Sequence, residues 1–150
     1  VVAEPVEAAD VGELIAAYPG LRIDHDNERW YAGLLARRLL NRACTSCGLH
    51  HHPPRPVCPG CWSTALVDRE SRGTGVVEAS TTFRQVDPYG LDDGASPGGR
   101  MAVTVRLDEQ DVRLTGPVRA GAAAGIGERV RLGWARRGPA PFPVFEPESR

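Results

Sequence analysis

Two hydrophobic periods run along this chain, and the change from one to the other divides it. From Val11 to Tyr18 the apolar residues Val11, Leu14, Ile15 and Tyr18 recur at helical spacing before Pro19-Gly20 ends the run. A second helical pattern spans 24–37. Asp24 to Asn27 are capping residues, and Trp30 and Leu34, with Tyr31 and Leu35, form an apolar side. The stretch 38–43 leaves the helical period and suits a strand. His52-Pro53-Pro54-Arg55-Pro56-Val57 lacks three backbone donors, so it is predicted as an extended crossover rather than a helix.

Beyond residue 65 the period becomes two. Short runs at 65–70, 75–83, 100–107, 111–116 and 128–134, with a last piece at 143–145, are separated by glycine. Leu107-Asp108-Glu109-Gln110-Asp111-Val112 reads as a hairpin turn. The segment 85–99 has almost no core-forming residue and reads either as a functional loop or as a tolerated mobile insertion. Five or six short antiparallel strands, with a connection near 119–127, predict an OB-fold barrel. The expected fold class is mainly β: N-terminal helices, a ribbon, then the barrel. The expected division is a mobile or helical segment at 1–23, an amphipathic helix at 24–37, a ribbon at 38–65 and the barrel at 66–150.

The chemistry concentrates in four cysteines, Cys44, Cys47, Cys58 and Cys61, the only ones in the chain. Two C-x2-C turns separated by ten residues can aim four thiolates at one point, which predicts a structural Zn²⁺ site. An all-sulfur tetrahedron has no open position for water, so metal catalysis is not expected there. Iron in an S₄ site is the chemical alternative and would make the protein an electron carrier. Disulfides fit poorly with four cysteines in 150 residues and no secretory signal visible in the first twenty. A cytoplasmic location is expected. His50-His51-His52, between the two turns, is read as a solvated loop rather than a ligand source.

Composition narrows the remaining options. Hydrophobic residues make up 41% and charged residues 25%, proportions of a soluble globular chain, and no apolar run approaches the roughly 18 residues that span a bilayer. The net charge is −1 and all 18 basic residues are arginine. With three Phe, three Tyr and three Trp there is little from which to build a basic, aromatic nucleic-acid face, although OB barrels and zinc ribbons both occur in such proteins. No G-x-S-x-G elbow, P-loop or dinucleotide fingerprint is present, and no catalytic residue is assigned. The pairs Asp92-Asp93 and Asp108-Glu109 lie in turns and are read as solvated. Arg55, framed by prolines, is a candidate for a CoA phosphate or a partner carboxylate, against a packing role on the ribbon. Trp30, Tyr31 and Trp62 are either core or seam residues or part of a partner surface. Phe83 and Trp134 are expected inside the barrel.

The order of these parts carries a resemblance. The Asp26-Asn27-Glu28 helix start with Trp30, the knuckle Cys44-Thr45-Ser46-Cys47-Gly48 and the link Pro53-Pro54-Arg55-Pro56-Val57-Cys58-Pro59-Gly60-Cys61 come first. Gly73-Thr74-Gly75-Val76-Val77, Gly125-Ile126-Gly127-Glu128-Arg129-Val130 and Pro141-Phe142-Pro143 follow. Together they resemble a family of small proteins with a rubredoxin-like zinc ribbon joined to an OB-fold, long catalogued as a domain of unknown function and associated with acyl-CoA chemistry. The resemblance implies a non-catalytic companion of thiolase-like enzymes, including aldolases that cleave steroid side chains. It implies a thiolase-fold partner, acyl-CoA as the ligand the pair handles and, in some members, a hot-dog hydratase domain in the same polypeptide.

Overall fold

The structure, a computed structural model, describes residues 9–94 and 98–149. Part of the 1–23 segment therefore lies outside the described residues. The chain forms two compact units that meet in sequence between Ser71 and Arg72. No described helix is long and apolar enough to cross a membrane.

The first unit begins with α1 (Val11–Ala17) and α2 (Glu28–Leu35). In α1 only one apolar stripe is used. Leu14 is buried and Tyr18, at the C-cap, is buried with it, whereas Val11 and Ile15 on the adjacent stripe are 41% and 53% exposed. α2 starts later than the predicted position 24, because the expected capping residues fold a turn of their own. Asn27 Oδ1 accepts the N–H of Asp24 (2.8 Å), and Asp24 Oδ1 accepts the N–H of Asp26 (3.1 Å) and of Asn27 (3.3 Å). α2 packs on β1 through Gly33, where a Cβ would meet the carbonyl of Arg38 at 2.9 Å and Leu40 Cγ at 3.0 Å. Four rings then contact one another in series, Tyr18 tilted against Tyr31 (5.3 Å), Tyr31 edge-to-face with Trp30 (5.2 Å) and Trp30 tilted against His52 (5.1 Å).

The unit closes with a three-stranded antiparallel sheet of order β2-β1-β3, formed by β1 (Leu39–Cys44), β2 (His50–His51) and β3 (Leu66–Ser71). Two sequence expectations change here. The histidines are not a solvated loop: His50 pairs with Ala43 and His51 with Arg42 in β2, His51 is buried, and His52 packs on Trp30. The run at 65–70, read as the first barrel strand, pairs along its length with β1 instead. Alternation alone does not tell a strand which sheet it joins. Here Thr45, bonded to the Ala65 carbonyl by both its N–H (2.9 Å) and its hydroxyl (3.0 Å), starts β3 beside β1. Asp68 then takes Arg42 of β1 (3.1 Å) and Arg29 of α2 (2.6 Å).

The second unit has five strands: β4 (Gly75–Phe83), β5 (Arg100–Leu107), β6 (Arg113–Pro117), β7 (Arg129–Arg137) and β8 (Ala140–Pro147). Their order is β6-β5-β4-β7-β8, and a parallel bridge from Val118 to Phe145, reinforced by the Arg119 N–H to the Phe145 carbonyl (3.0 Å), joins the two ends. This is the OB barrel topology. Val77, Val105, Leu107, Val130, Val144 and Phe145 are fully buried in it.

Two further expectations are corrected in this unit, the placing of Phe83 and Trp134 and the exposure of Asp93, and the mobile reading of 85–99 is narrowed. Phe83 is 39% exposed, at the outer end of β4, and Trp134 is half-buried; neither is an interior residue. The described part of 85–99 is pinned. Arg100, only 3% exposed, donates to Asp87 (2.9 Å), Asp93 (2.6 Å) and the Val118 carbonyl (3.1 Å), and Asp93 also accepts the Ala120 N–H (2.8 Å). Burial penalises the Asp93 carboxylate, but Arg100 and the Ala120 N–H outweigh that and hold its pKa below the usual carboxylate range. Asp93 is thus a buried ion-pair partner, not a solvated acid. Asp108 and Glu109 by contrast stay exposed, as expected of turn acids, with Asp108 pairing with Arg129 (2.6 Å) and Glu109 accepting the N–H of Arg72 (2.7 Å).

Candidate metal centre

Two hairpin turns build the site, and they share a backbone. In the first, the N–H of Cys44 donates to the Leu49 carbonyl (2.9 Å), and the Cys44 carbonyl accepts the N–H of Gly48 (2.9 Å). In the second, the N–H of Cys58 donates to the Ser63 carbonyl (2.9 Å), and the Cys58 carbonyl accepts the N–H of Trp62 (2.9 Å). The residue after each second cysteine is therefore equivalent, and both are left-handed: Gly48 at φ 80° and Trp62 at φ 64°. Glycine takes that conformation freely, whereas an L-residue pays about 1–2 kcal/mol for it. A hydroxyl contact between Ser46 and Ser63 (2.9 Å) ties the knuckles together.

The turns bring the four sulfurs of Cys44, Cys47, Cys58 and Cys61 within 4.8 Å of one another. Cys44 Sγ lies 3.6 Å from Cys61 Sγ, and Cys47 Sγ 3.6 Å from Cys58 Sγ. Cys44 and Cys58 are buried; Cys47 and Cys61 reach the surface. The N–H of Gly60 points at Cys58 Sγ (3.4 Å). Such amide donors favour thiolate, and the Cys47 N–H above all draws the Cys44 thiol down to about 6. Cys61 goes the other way, to about 12. The N–H of Ser63 lowers it, but the neighbouring sulfurs of Cys44, Cys47 and Cys58, together with burial, prevail. Four thiolates so close repel one another unless a cation lies between them. The donor set therefore fits a soft divalent ion with four sulfur ligands. The histidine run does not join this cluster, and among the described residues the four cysteines are the one group placed to hold a metal.

The other sequence candidates separate. Trp30 and Tyr31 belong to the series of ring contacts that runs from Tyr18 to His52, with Trp30 Nε1 and His52 Nδ1 buried and without a hydrogen bond among the described residues. Arg55 is exposed on the proline link. Trp62 is 79% exposed at the second knuckle, and Leu49, 42% exposed, follows the first. Sequence reasoning left Trp62 undecided between packing and surface. The signal was in the comparison of C-x2-C-Gly with C-x2-C-Trp, since only the second departs from the residue its turn favours.

Residues 32–67 match the family model described as ChsH2, rubredoxin-like zinc ribbon domain. That match spans the ribbon and none of the barrel. Beyond the ribbon, a solved structure of an Ltp2-ChsH2(DUF35) aldolase contains a chain similar to this one over 86% of its residues and 99% of the other's, at TM-score 0.72 and 29% identity. A DUF35-family protein of unknown function from Sulfolobus solfataricus, 16% identical at TM-score 0.54, matches 79% of this chain and 83% of its own, and shares the fold. No curated protein matches the chain in sequence. The ChsH2-type ribbon followed by a five-stranded barrel is thus an arrangement of the DUF35 kind, and the resemblance drawn from the sequence holds in both parts.

Proposed function

We propose that this protein is the accessory subunit of a thiolase-like acyl-CoA enzyme, an aldolase or acyltransferase, which it binds and stabilises without performing the chemistry itself. The observation that supports this most is the similarity, over 86% of its residues, to a chain of the Ltp2-ChsH2(DUF35) aldolase. The metal site agrees with a structural role. Four sulfurs complete a tetrahedron, so Zn²⁺ held there would order the two knuckles and offer no position to substrate.

Trp62 is the docking anchor in this reading. It stands 79% exposed in a strained backbone conformation that glycine would hold more easily, and exposed tryptophan at a rigid point is the residue type that dominates interface energetics. Leu49 extends the apolar surface of the knuckles. Arg55, exposed on a stiff proline segment, is assigned to an anion, a CoA phosphate or a partner carboxylate. The OB face gives a nucleic-acid strand little to grip. β5 and β6 carry no aromatic residue, and Arg106 and Arg113 are both bound to Glu78 (3.0 and 2.7 Å).

Co-expression with a thiolase-fold aldolase from the same source tests the assignment. The pair should co-purify with stoichiometric zinc, and Trp62→Ala should weaken binding by about 2 kcal/mol, some thirtyfold, with the melting temperature of the free chain unchanged or raised. Acyl-CoA cleavage by the isolated chain, or capture of the aldolase that ignores Trp62, would contradict it.

A further inference from the structure

β4 is an interior strand for part of its length and an edge for the rest. It pairs with β5 from Gly75 to Phe83. On its other side it meets β7 at Gly75 and Val76, and Val77 extends that contact by donating its N–H to the Glu128 carbonyl (3.0 Å) and accepting the N–H of Gly127 (2.8 Å). A bulge between Val77 and Ala79 then carries the strand away from β7. From Ala79 to Phe83 no main-chain partner lies on the outer side among the described residues, and all five residues are exposed. Alternate residues of a strand turn both N–H and C=O away from its one neighbour, so this stretch offers open donors and acceptors.

Natural edges are guarded by charge, proline or brevity. The edge of β3 carries Asp68, Arg69 and Glu70, β2 is two residues long, and the β6 and β8 ends meet through Val118 and Phe145. Ala79-Ser80-Thr81-Thr82-Phe83 has no charge and no proline, and two of its residues are β-branched.

We propose that the outer edge of β4 pairs antiparallel with the same edge of a second copy of this chain, about a two-fold axis at Thr81. In that register Thr81 faces Thr81, Ser80 faces Thr82, and the small Ala79 faces the large Phe83. At the ends Glu78 faces Arg84, opposite in sign. Glu78 is already fixed in place by Arg106 and Arg113, while Arg84 is an exposed guanidinium with no ion pair among the described residues. Moving the axis one residue either way loses the charge match, placing Thr82 or Val86 opposite Glu78. A two-fold interface has to be self-complementary, and this strand is. Seven residues a side bury less than a permanent dimer does, so the pairing is a concentration-dependent equilibrium. It involves neither Trp62 nor the metal, and it stands apart from the docking assignment.

Sedimentation equilibrium of the zinc-loaded chain from micromolar to millimolar concentration is the test. The mass should climb from 16.1 kDa toward twice that value. Thr81→Lys sets two ammonium groups across the axis from an exposed position, and should weaken association at least about tenfold without lowering the melting temperature. Thr81→Cys should give a disulfide-linked dimer on mild oxidation, whereas Thr115→Cys, at an exposed position of β6, should not. A single-chain mass across the whole range, or a dimer indifferent to Thr81→Lys, would overturn the proposal. So would a monomer whose Thr81→Lys variant instead loses the aldolase, since the edge would then hold a strand of that enzyme.

Discussion

The two knuckles of the ribbon follow one backbone plan and differ at one decisive residue. Each cysteine pair is closed by the same two main-chain bonds, and each ends in a left-handed residue, Gly48 in one and Trp62 in the other. The fold therefore asks for a positive φ at that position and does not ask for a side chain. What the fold does not need, and pays for in strain, is best explained by contact with something else.

Equivalence of the knuckles at the metal gives the largest predicted effect. Cys44→Ser and Cys58→Ser should each release the ion and destabilise the first unit by several kcal/mol, because a sheet with a two-residue edge strand has little core of its own. The loss should stop at the unit boundary. Hydrogen exchange is expected to show the amides of β1 to β3 unprotected in either variant while those of β5 and β7 stay protected. If one variant keeps the ion with unchanged affinity, the two turns are not equivalent and the comparison fails at its base.

The link between the knuckles comes next, and it is anchored rather than free. Burial against Trp30, and secondarily the nearby His51, lowers the pKa of His52 from 6.5 to about 4. The folded chain keeps this ring neutral where the unfolded chain protonates it. Its contribution is therefore present above about pH 6.5 and lost as pH falls toward 4. A shift of that size corresponds to about 3 kcal/mol. His52→Phe keeps a ring on Trp30 and removes the proton. Chemical denaturation of both proteins between pH 7 and 4 should show the wild type losing about 3 kcal/mol more than the variant. Parallel curves would mean that the link is open to water.

Much of this was legible in the sequence, for physical reasons that also mark where legibility ended. Four cysteines at C-x2-C spacing specify their own convergence, and a β-branched, largely alternating run at 100–107 specifies a strand, so the ribbon and the barrel could both be read. Neighbour choice could not. The run at 65–70 reads as a barrel strand, yet residues 66–71 pair with β1 through contacts of Thr45 and Asp68 that local pattern does not contain. Asp93 looked like a solvated turn acid because its partner, Arg100, approaches only once the loop folds back. Phe83 and Trp134 were placed inside on hydrophobicity, which says that a ring gains from burial without saying that the barrel has room. Trp62 was ambiguous for a different reason. Its strain appears only when the two turns are superposed residue by residue.

Exchanging the two left-handed residues is the smallest perturbation and isolates that strain. Trp62→Gly removes a left-handed L-residue, a gain of about 1–2 kcal/mol, and adds the chain entropy of glycine, a loss of about 0.5–1 kcal/mol. Little buried surface goes with a side chain 79% exposed. The ribbon should therefore become more stable by roughly 0.5–1 kcal/mol while losing its partner. Gly48→Trp should do the reverse for stability, because a Cβ there meets nothing within 4 Å and only the backbone angle opposes it. The double exchange should melt near the wild type, since the two changes nearly cancel. It should nonetheless bind the aldolase no better than Trp62→Gly alone, because its tryptophan then stands on the wrong knuckle. Thermal denaturation of the four proteins beside binding measured by titration separates the two quantities. A Trp62→Gly variant that is less stable than the wild type would mean that the indole supports the ribbon itself, and the anchor would have to be sought elsewhere.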